Sequence, residues 1–358
     1  MKRRASRMIH LGSLAIGGDS PISVQSMTTT HTEDVDATVA QVAELVEAGC
    51  EIVRLAVPAE SAARAIAEIK AQTRVPLVAD IHFDMNLAIE SLRSGADGIR
   101  INPGNMKDLG RLDELIGLAR DRGAVVRIGV NSGSIRARHG LKVAHESRPT
   151  HQLMVERTLE FVGLFEKQGF HELKLSLKAS DVPTTMEAYR EVARRTDYPL
   201  HVGVTSAGPY EESVVKSAIG IGGLLAEGIG DTVRVSMTGP PVTEVKVAYE
   251  ILWALRLRAR RSPEIISCPT CGRCEIKLAD IVEEVKRRLP KDAPAVQIAV
   301  MGCVVNGPGE ASEADLGVAG GKGFGYLFAR GRKLRKVAAD HLVDELLKEL
   351  SKLSGHKD

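Results

Sequence analysis

Cysteine is scarce in this chain, with five in 358 residues. Aromatic residues are scarce too, at 3% with a single tryptophan. No apolar run approaches the roughly 18 residues that a bilayer-spanning helix needs. Neither sign of charge dominates: 48 Lys and Arg stand against 46 Asp and Glu, for a formal net charge of +2. Each shortage excludes something. A near-neutral chain offers no broad electrostatic case for nucleic acid or membrane as a partner. The lack of aromatics removes stacking platforms for bases. The opening MKRRASRMIHLGSLAIGG is basic but has no long apolar stretch and no convincing cleavage site, so it reads as mature protein and not as a signal peptide. A cytoplasmic, reducing setting is therefore expected, where clustered cysteines serve metals or redox chemistry in preference to structural disulfides. What the chain does have is a hydrophobic fraction of 44%, enough for a sizeable core, and a length suited to one large domain plus one small one.

From residue 22 to about 259 one unit repeats: a short β-branched run, then a helical stretch. The runs are 22–25, 51–57, 75–80, 97–101, 124–130, 172–177, 199–204 and 231–236. Helical patterns fill the gaps at 60–72, 86–95, 108–122, 151–168, 184–195, 212–227 and 243–259, preceded by one that carries Val39, Val42 and Val46 ahead of Gly49. Eight such units over roughly 240 residues predict a TIM (β/α)8 barrel. The rival, a doubly wound sheet, uses fewer strands and has its G-x-G-x-x-G after the first strand, which is missing here.

The strand ends carry the candidate chemistry, because the carboxyl ends of barrel strands form the active face. Arg54, Arg100, Arg127, Lys178 and Arg234 come from different strands. Asp80 and His82 close the third run as candidate catalytic groups; Asn105, Asn131, Thr205 and Ser236 lie at other strand ends. A lone arginine is ordinarily a solvated charge or half of a salt bridge. Five cations, each inside a hydrophobic strand, predict a multiply anionic ligand, and forked guanidinium groups suit phosphate oxygens. A diphosphate is the expected ligand.

After residue 259 the pattern changes, giving expected domains of 1–259 and 260–358. Ser262-Pro263 reads as a linker, followed by SCPTCGRC, an amphipathic helix at 276–289, strands at 296–301 and 315–319, and a charged terminal helix from about 334 to 352. GVAGGKG lacks the spacing of a phosphate loop and reads as a tight turn, with Lys322 near any ligand. Three cysteines lie within residues 268–274, and Cys303 follows 29 residues after Cys274 (303 − 274). Cys268, Cys271, Cys274 and Cys303 suit tetrahedral zinc or an iron–sulfur cluster. The lone distal cysteine, followed by NGPGE, tilts the reading towards iron–sulfur.

Across nearly its whole length the chain resembles the bacterial 4-hydroxy-3-methylbut-2-enyl diphosphate synthase family of the non-mevalonate isoprenoid pathway. The resemblance rests on VQSMT, EIVRLAVP, DIHF, IRINPGN, IGVNSGS, SLKASDV, EGIGDTVRVS, CPTCGR and MGCVVNGPGEA. It implies the two-electron reduction, ring-opening and dehydration of a cyclic diphosphate, with flavodoxin or ferredoxin as electron donor. It implies a [4Fe–4S] cluster on Cys268, Cys271, Cys303 and Glu310, the carboxylate being the hard and more labile ligand that also serves catalysis. It implies a clamp of Arg54, Arg100, Arg127, Lys178 and Arg234, with Asn131 and Ser236 as neutral donors. Two positions depart from the family pattern: Cys274 replaces Thr, and Ser206 replaces Glu. Helix 243–259 ends at the foot of the barrel, and a linker over 260–267 spans at most about 28 Å, little more than the ~25 Å of the helix itself. A head-to-tail homodimer, each small domain capping its neighbour's barrel, is the expectation. The competing readings are a zinc-stabilised barrel that binds a phosphorylated metabolite without redox work, and an aldolase using Lys178.

Overall fold

The computed structural model describes residues 2–102, 106, 109–133, 148–290 and 292–354. The chain divides into two compact units, Met1–Arg258 and Ala259–Asp358.

In the first unit a hairpin of β1 (Ile9–Leu11) and β2 (Leu14–Ile16) precedes the barrel. The barrel strands are β3 (Ser23–Met27), β4 (Ile52–Val57), β5 (Leu77–Ile81), β6 (Gly98–Ile101), β7 (Val125–Asn131), β8 (Leu173–Lys178), β9 (His201–Val202) and β10 (Thr232–Val233). Among the described residues they form one eight-stranded parallel sheet in the order β8-β7-β6-β5-β4-β3-β10-β9. A parallel bridge from Leu175 to Leu200 ties β8 to the chain entering β9 and brings the two ends of the sheet together. The TIM barrel expected from the alternation is thus present, with β9 and β10 shorter than the runs at 199–204 and 231–236.

The helices are α1 (Val35–Glu47), α2 (Glu60–Gln72), α3 (Met85–Arg93), α4 (Leu112–Arg122), α5 (Thr150–Glu166), α6 (Val182–Arg195), α7 (Tyr210–Ser217), α8 (Gly223–Ala226) and α9 (Pro241–Ala254), with a π-helical turn, Ala218–Gly222, joining α7 to α8. Aspartates start three of them. Asp34, Asp84 and Asp181 accept hydrogen bonds from the backbone N–H groups of Ala37, Asn86 and Thr184, so each helix begins directly after a loop at the strand ends. The aliphatic faces of strands and helices merge into one core.

The hairpin was not foreseen. Ile9, Leu11 and Ile16 are buried against Ile52, Val78 and Val125 near the strand starts, so the hairpin covers the amino-terminal end of the barrel. Gly98 makes room for it: a Cβ there would lie 2.8 Å from Leu11 Cδ1. Asp231 fixes the preceding segment, pairing with Arg3 at 3.0 Å and accepting a hydrogen bond from Ser6 at 2.8 Å.

The second unit is a five-stranded sheet in the order β11 (Glu264–Ser267), β12 (Gln297–Met301), β13 (Leu316–Gly321), β14 (Phe324–Ala329), β15 (Arg332–Ala338). The helices α10 (Leu278–Arg288), α11 (Gly307–Ala311) and α12 (Leu342–Ser354) complete it. The first three strands are parallel and the last two antiparallel. Lys322 and Gly323 form the tight turn between β13 and β14, with Gly323 at φ +75°. One expectation fails. The terminal helix does not start near 334, since Arg332–Ala338 is a strand and the helix spans Leu342–Ser354. β15 is an edge strand whose side chains are mostly exposed, Val337 alone being buried, so no alternating apolar signal marks it.

Candidate functional site

Register builds the site. Asp80 on β5 lies opposite Arg100 on β6, Arg100 opposite Arg127 on β7, and Arg127 opposite Lys174 on β8. Residues opposed in neighbouring strands project to the same side of a sheet. Four adjacent strands therefore turn one row of charges into the barrel. Towards the carboxyl ends the row opens into a cleft of about 140 Å³. Every barrel residue named from the sequence as a site residue lines this cleft except Asn105, which lies outside the described residues: Arg54, Asp80, His82, Arg100, Arg127, Asn131, Lys178, Thr205, Arg234 and Ser236 are all there.

The cations are fixed by a few acceptors. Asp80 lies 3.3 Å from Arg100, 3.7 Å from Arg54 and 3.5 Å from His82. His82 Nε2 is also 3.1 Å from Arg100 Nη1, while Arg100 Nη2 donates to the Gly129 carbonyl at 3.2 Å. A Cβ on Gly129 would come within 2.7 Å of Arg100 Nε, so this position has no room for a side chain while that guanidinium lies where it does. Arg54 donates to Met27 Sδ at 3.0 and 3.2 Å. Arg234 pairs with buried Glu244 at 3.2 Å, and Glu244 also accepts from Ser26 and the Met237 amide. Lys178 Nζ sits 3.4 Å from His201 Nε2, whose Nδ1 is 2.8 Å from Thr232 Oγ1. The Nε atoms of Arg100 and Arg127 are buried without a hydrogen-bond partner. Such orphaned donors can be satisfied by an arriving oxyanion.

Crowding the cations shifts their titration. Burial pushes Lys178 well below its ordinary range, and Arg127 and Arg234 add to the effect. Burial likewise lowers Arg127 and brings Arg54 to about 10. For Asp80 burial acts upward, but Arg54, the hydrogen bond with His82, Arg100 and Arg127 outweigh it and hold the carboxyl well below the usual carboxylate range. Asp80 is thus an acceptor that stays ionised. Two loops at this end hold non-glycine residues in the left-handed region, Phe83 at φ 67° and Ser206 at φ 52°, a strain that clusters at functional sites.

Sequence reasoning missed three polar groups here. Ser176 lines the cleft, His201 backs Lys178, and Lys174 lies beside Arg127. Period-two alternation from Lys178 back along β8 points to Ser176 and Lys174, so that signal was available.

In the second unit, the Gly302 amide donates to Cys268 Sγ at 3.2 Å. A Cβ on Gly302 would come within 2.6 Å of Cys274 Sγ, so this glycine lies against two of the thiols. Cys274 donates to the Ile276 carbonyl at 3.2 Å. Hydrogen bonds from the backbone of Asn306, Val305 and Gly307 lower the Cys303 thiol below its ordinary value. Cys271 and Glu310 are exposed. Among the described residues no three His, Cys, Asp or Glu side chains converge to hold a single metal ion. Thiolates supported by backbone N–H donors are the donor chemistry that an iron–sulfur cluster requires, and a cluster spreads its ligands over several irons. The residues present fit such a group.

Fold and site together define a TIM-barrel protein with a cation-lined mouth and a separate cysteine-bearing domain. Residues 6–249 match the GcpE TIM-barrel domain, and residues 264–352 match the GcpE protein C-terminal domain. The chain belongs to the GcpE family. A relative from Geobacter sulfurreducens, named 4-hydroxy-3-methylbut-2-en-1-yl diphosphate synthase (flavodoxin), is 50% identical over 352 residues, 98% of this chain and 99% of that protein. One of the same name from Thermodesulfovibrio yellowstonii is 50% identical over 98% of this chain and all of its own length. Dihydropteroate synthase from Yersinia pestis covers 70% of this chain and 99% of its own with a TM-score of 0.50, and at 14% identity it shares the barrel fold alone. No described helix is long and apolar enough to cross a membrane.

Proposed function

We propose that the chain performs the reductive ring-opening and dehydration of 2-C-methyl-D-erythritol 2,4-cyclodiphosphate to 4-hydroxy-3-methylbut-2-enyl diphosphate, in the cytoplasm. The observation that carries the reading is the cleft itself. Among the described residues it sets Arg54, Arg100, Arg127, Lys178 and Arg234 against only Asp80 and the supporting Glu244. That surplus of positive charge suits two phosphates better than any neutral or singly charged metabolite.

Each residue takes a role from its surroundings. Arg100 and Arg127 offer their orphaned Nε donors to phosphate oxygens at the bottom of the cleft. Arg54 and Arg234, anchored on Asp80 and Glu244, hold the sides. An arriving anion favours the charged form of Lys178, which burial, Arg127 and Arg234 disfavour. Asn131, Thr205 and Ser236 donate to neutral oxygens of the ring. Asp80 keeps the guanidinium planes aligned and holds no proton to give. His82, 40% exposed at the rim and within 3.1 Å of Arg100, is the side chain placed to move a proton beside the ligand. Cys268, Cys271 and Cys303, with Glu310 as the labile fourth ligand, would hold a [4Fe–4S] cluster. Such a group, when bound, supplies single-electron transfer and Lewis acidity. Flavodoxin or ferredoxin supplies the electrons, and a head-to-tail homodimer brings one chain's cysteines to the other chain's mouth.

Anaerobic purification tests this reading. The protein should be brown, lose its colour in air, and convert the cyclic diphosphate when given reductant. A colourless protein with one tightly held zinc and no turnover would sink it.

A further inference from the structure

We propose that the β15 edge of the small domain, with the turns beside it, is the landing face for an acidic electron-carrier protein. The proposal rests on the redox reading above and assigns its partner a place. From Leu316 to Ala338 the sequence carries Lys322, Arg330, Arg332, Lys333, Arg335 and Lys336, and no Asp or Glu. Arg335 alone turns to the helix side, where it meets Glu345 at 2.6 Å and Glu349 at 3.3 Å. The other five form no ion pair among the described residues, and all five are exposed. The helical side of the same domain behaves differently. Lys286, Arg288 and Lys352 each have a carboxylate within 3.0 Å. Among the described residues the cations of the two long helices are paired except Arg287, whereas Lys333 and Lys336, which lie over Tyr326 and Phe324, form no ion pair.

Cys268 reaches this side as well, although with Cys274 it also packs against the helix-side core. Tyr326 and Cys268 pack against the same cluster of Ala299, Met301, Ala314, Ala319 and Phe328. Lys333 Nζ lies 3.2 Å above the Tyr326 ring, and Lys336 Nζ lies 3.9 Å above Phe324. The two rings meet edge to face at 5.4 Å. Lysines resting on rings are already ordered, so a partner need not order them on arrival. A charged patch with little apolar area suits a partner that must arrive quickly and leave after each electron. Lysine on an edge strand also discourages strand pairing. That accounts for β15 but not for Lys322 and Arg330 in the turns, nor for a run with no acid at all. The ring faces are occupied by the lysines, which removes the stacking surface a nucleic acid would use.

The test uses the full-length, cluster-loaded protein and a purified acidic flavodoxin. In the K333E/K336E variant, flavodoxin binding by direct titration should weaken about tenfold or more, and flavodoxin-driven turnover should fall with it. Dithionite-driven turnover should stay unchanged. High salt should abolish the affinity of the unmodified protein and leave little further to lose in the variant. Unchanged flavodoxin affinity in the variant overturns the proposal, as does tighter binding of duplex DNA than of flavodoxin by the unmodified protein. If dithionite-driven turnover also drops, the milder K333Q/K336Q variant decides by its flavodoxin affinity alone. Failure of the unmodified protein to convert the cyclic diphosphate with dithionite sinks the redox reading instead, a different result from a lost docking effect.

Discussion

Lys174 is the most exacting test of how the barrel handles charge. It is 1% exposed, its Nζ has no hydrogen-bond partner, and it lies opposite Arg127 across β7 and β8. Burial, then the field of Arg127, push its amine from 10.5 to about 7, with Asp231 opposing. Between those two values the unfolded chain binds a proton that the folded chain lacks, so stability rises with pH across the window from 7 to 10.5. An amine displaced that far destabilises the fold by about 4 kcal/mol at pH 7 and about half as much at pH 9. Lys174→Met keeps the length of the side chain and removes the amine. Urea unfolding, followed by the fluorescence of Trp253 in α9, reports on the barrel unit alone. The variant should be more stable by about 2 kcal/mol at pH 7, because a new apolar side chain packs imperfectly in a site shaped for lysine. The packing cost does not change with pH, so that advantage should fall by about 2 kcal/mol and all but vanish at pH 9. No gain at pH 7, or a gain that ignores pH, would refute the reasoning.

Four further outcomes follow from the same geometry. Pyrophosphate binding near pH 8 should take up protons, since an anion restores the Lys178 amine that burial and neighbouring cations depress; calorimetry in buffers of different ionisation enthalpy measures this, and Lys178→Met should remove the uptake. Arg100→Met strips the cleft of the guanidinium paired with Asp80, and pyrophosphate affinity should fall by about 30-fold or more, corresponding to a loss of at least ~2 kcal/mol. Cys303→Ser should abolish the brown colour of anaerobic protein while Cys274→Ala retains it; the reverse pattern would exchange their roles. Mixing Cys303→Ser chains with Arg100→Ala chains should restore activity that neither has alone, and no recovery means that the two chains do not share sites.

The barrel was legible because its strands are buried on both faces and read as unbroken β-branched runs between amphipathic helices. The cleft was legible because charge inside such runs is conspicuous: Arg54, Arg100, Arg127 and Lys178 each interrupt aliphatic neighbours. Lys174, Ser176 and His201 are less conspicuous because they lie inward from the strand ends, where only alternation followed back along the strand points to them. The Ile9–Ile16 hairpin escaped notice since three-residue strands are too short to show a period. β15 reads from sequence as the start of a helix because an exposed edge strand rich in Arg and Lys looks the same as a solvated helix face. For the cysteines, spacing gave the donors, but the role of Gly302 between Cys268 and Cys274 depends on β12 bringing residue 302 back to them, which no local pattern encodes.

The hairpin beneath the barrel has a consequence for traffic. With Ile9, Leu11 and Ile16 stoppering the lower end, the cleft opens, among the described residues, at the carboxyl ends of the strands, and whatever enters and leaves there must take turns. A closed-ended cleft lined with cations holds an anionic product as firmly as an anionic substrate, so weakening the grip trades binding for faster release.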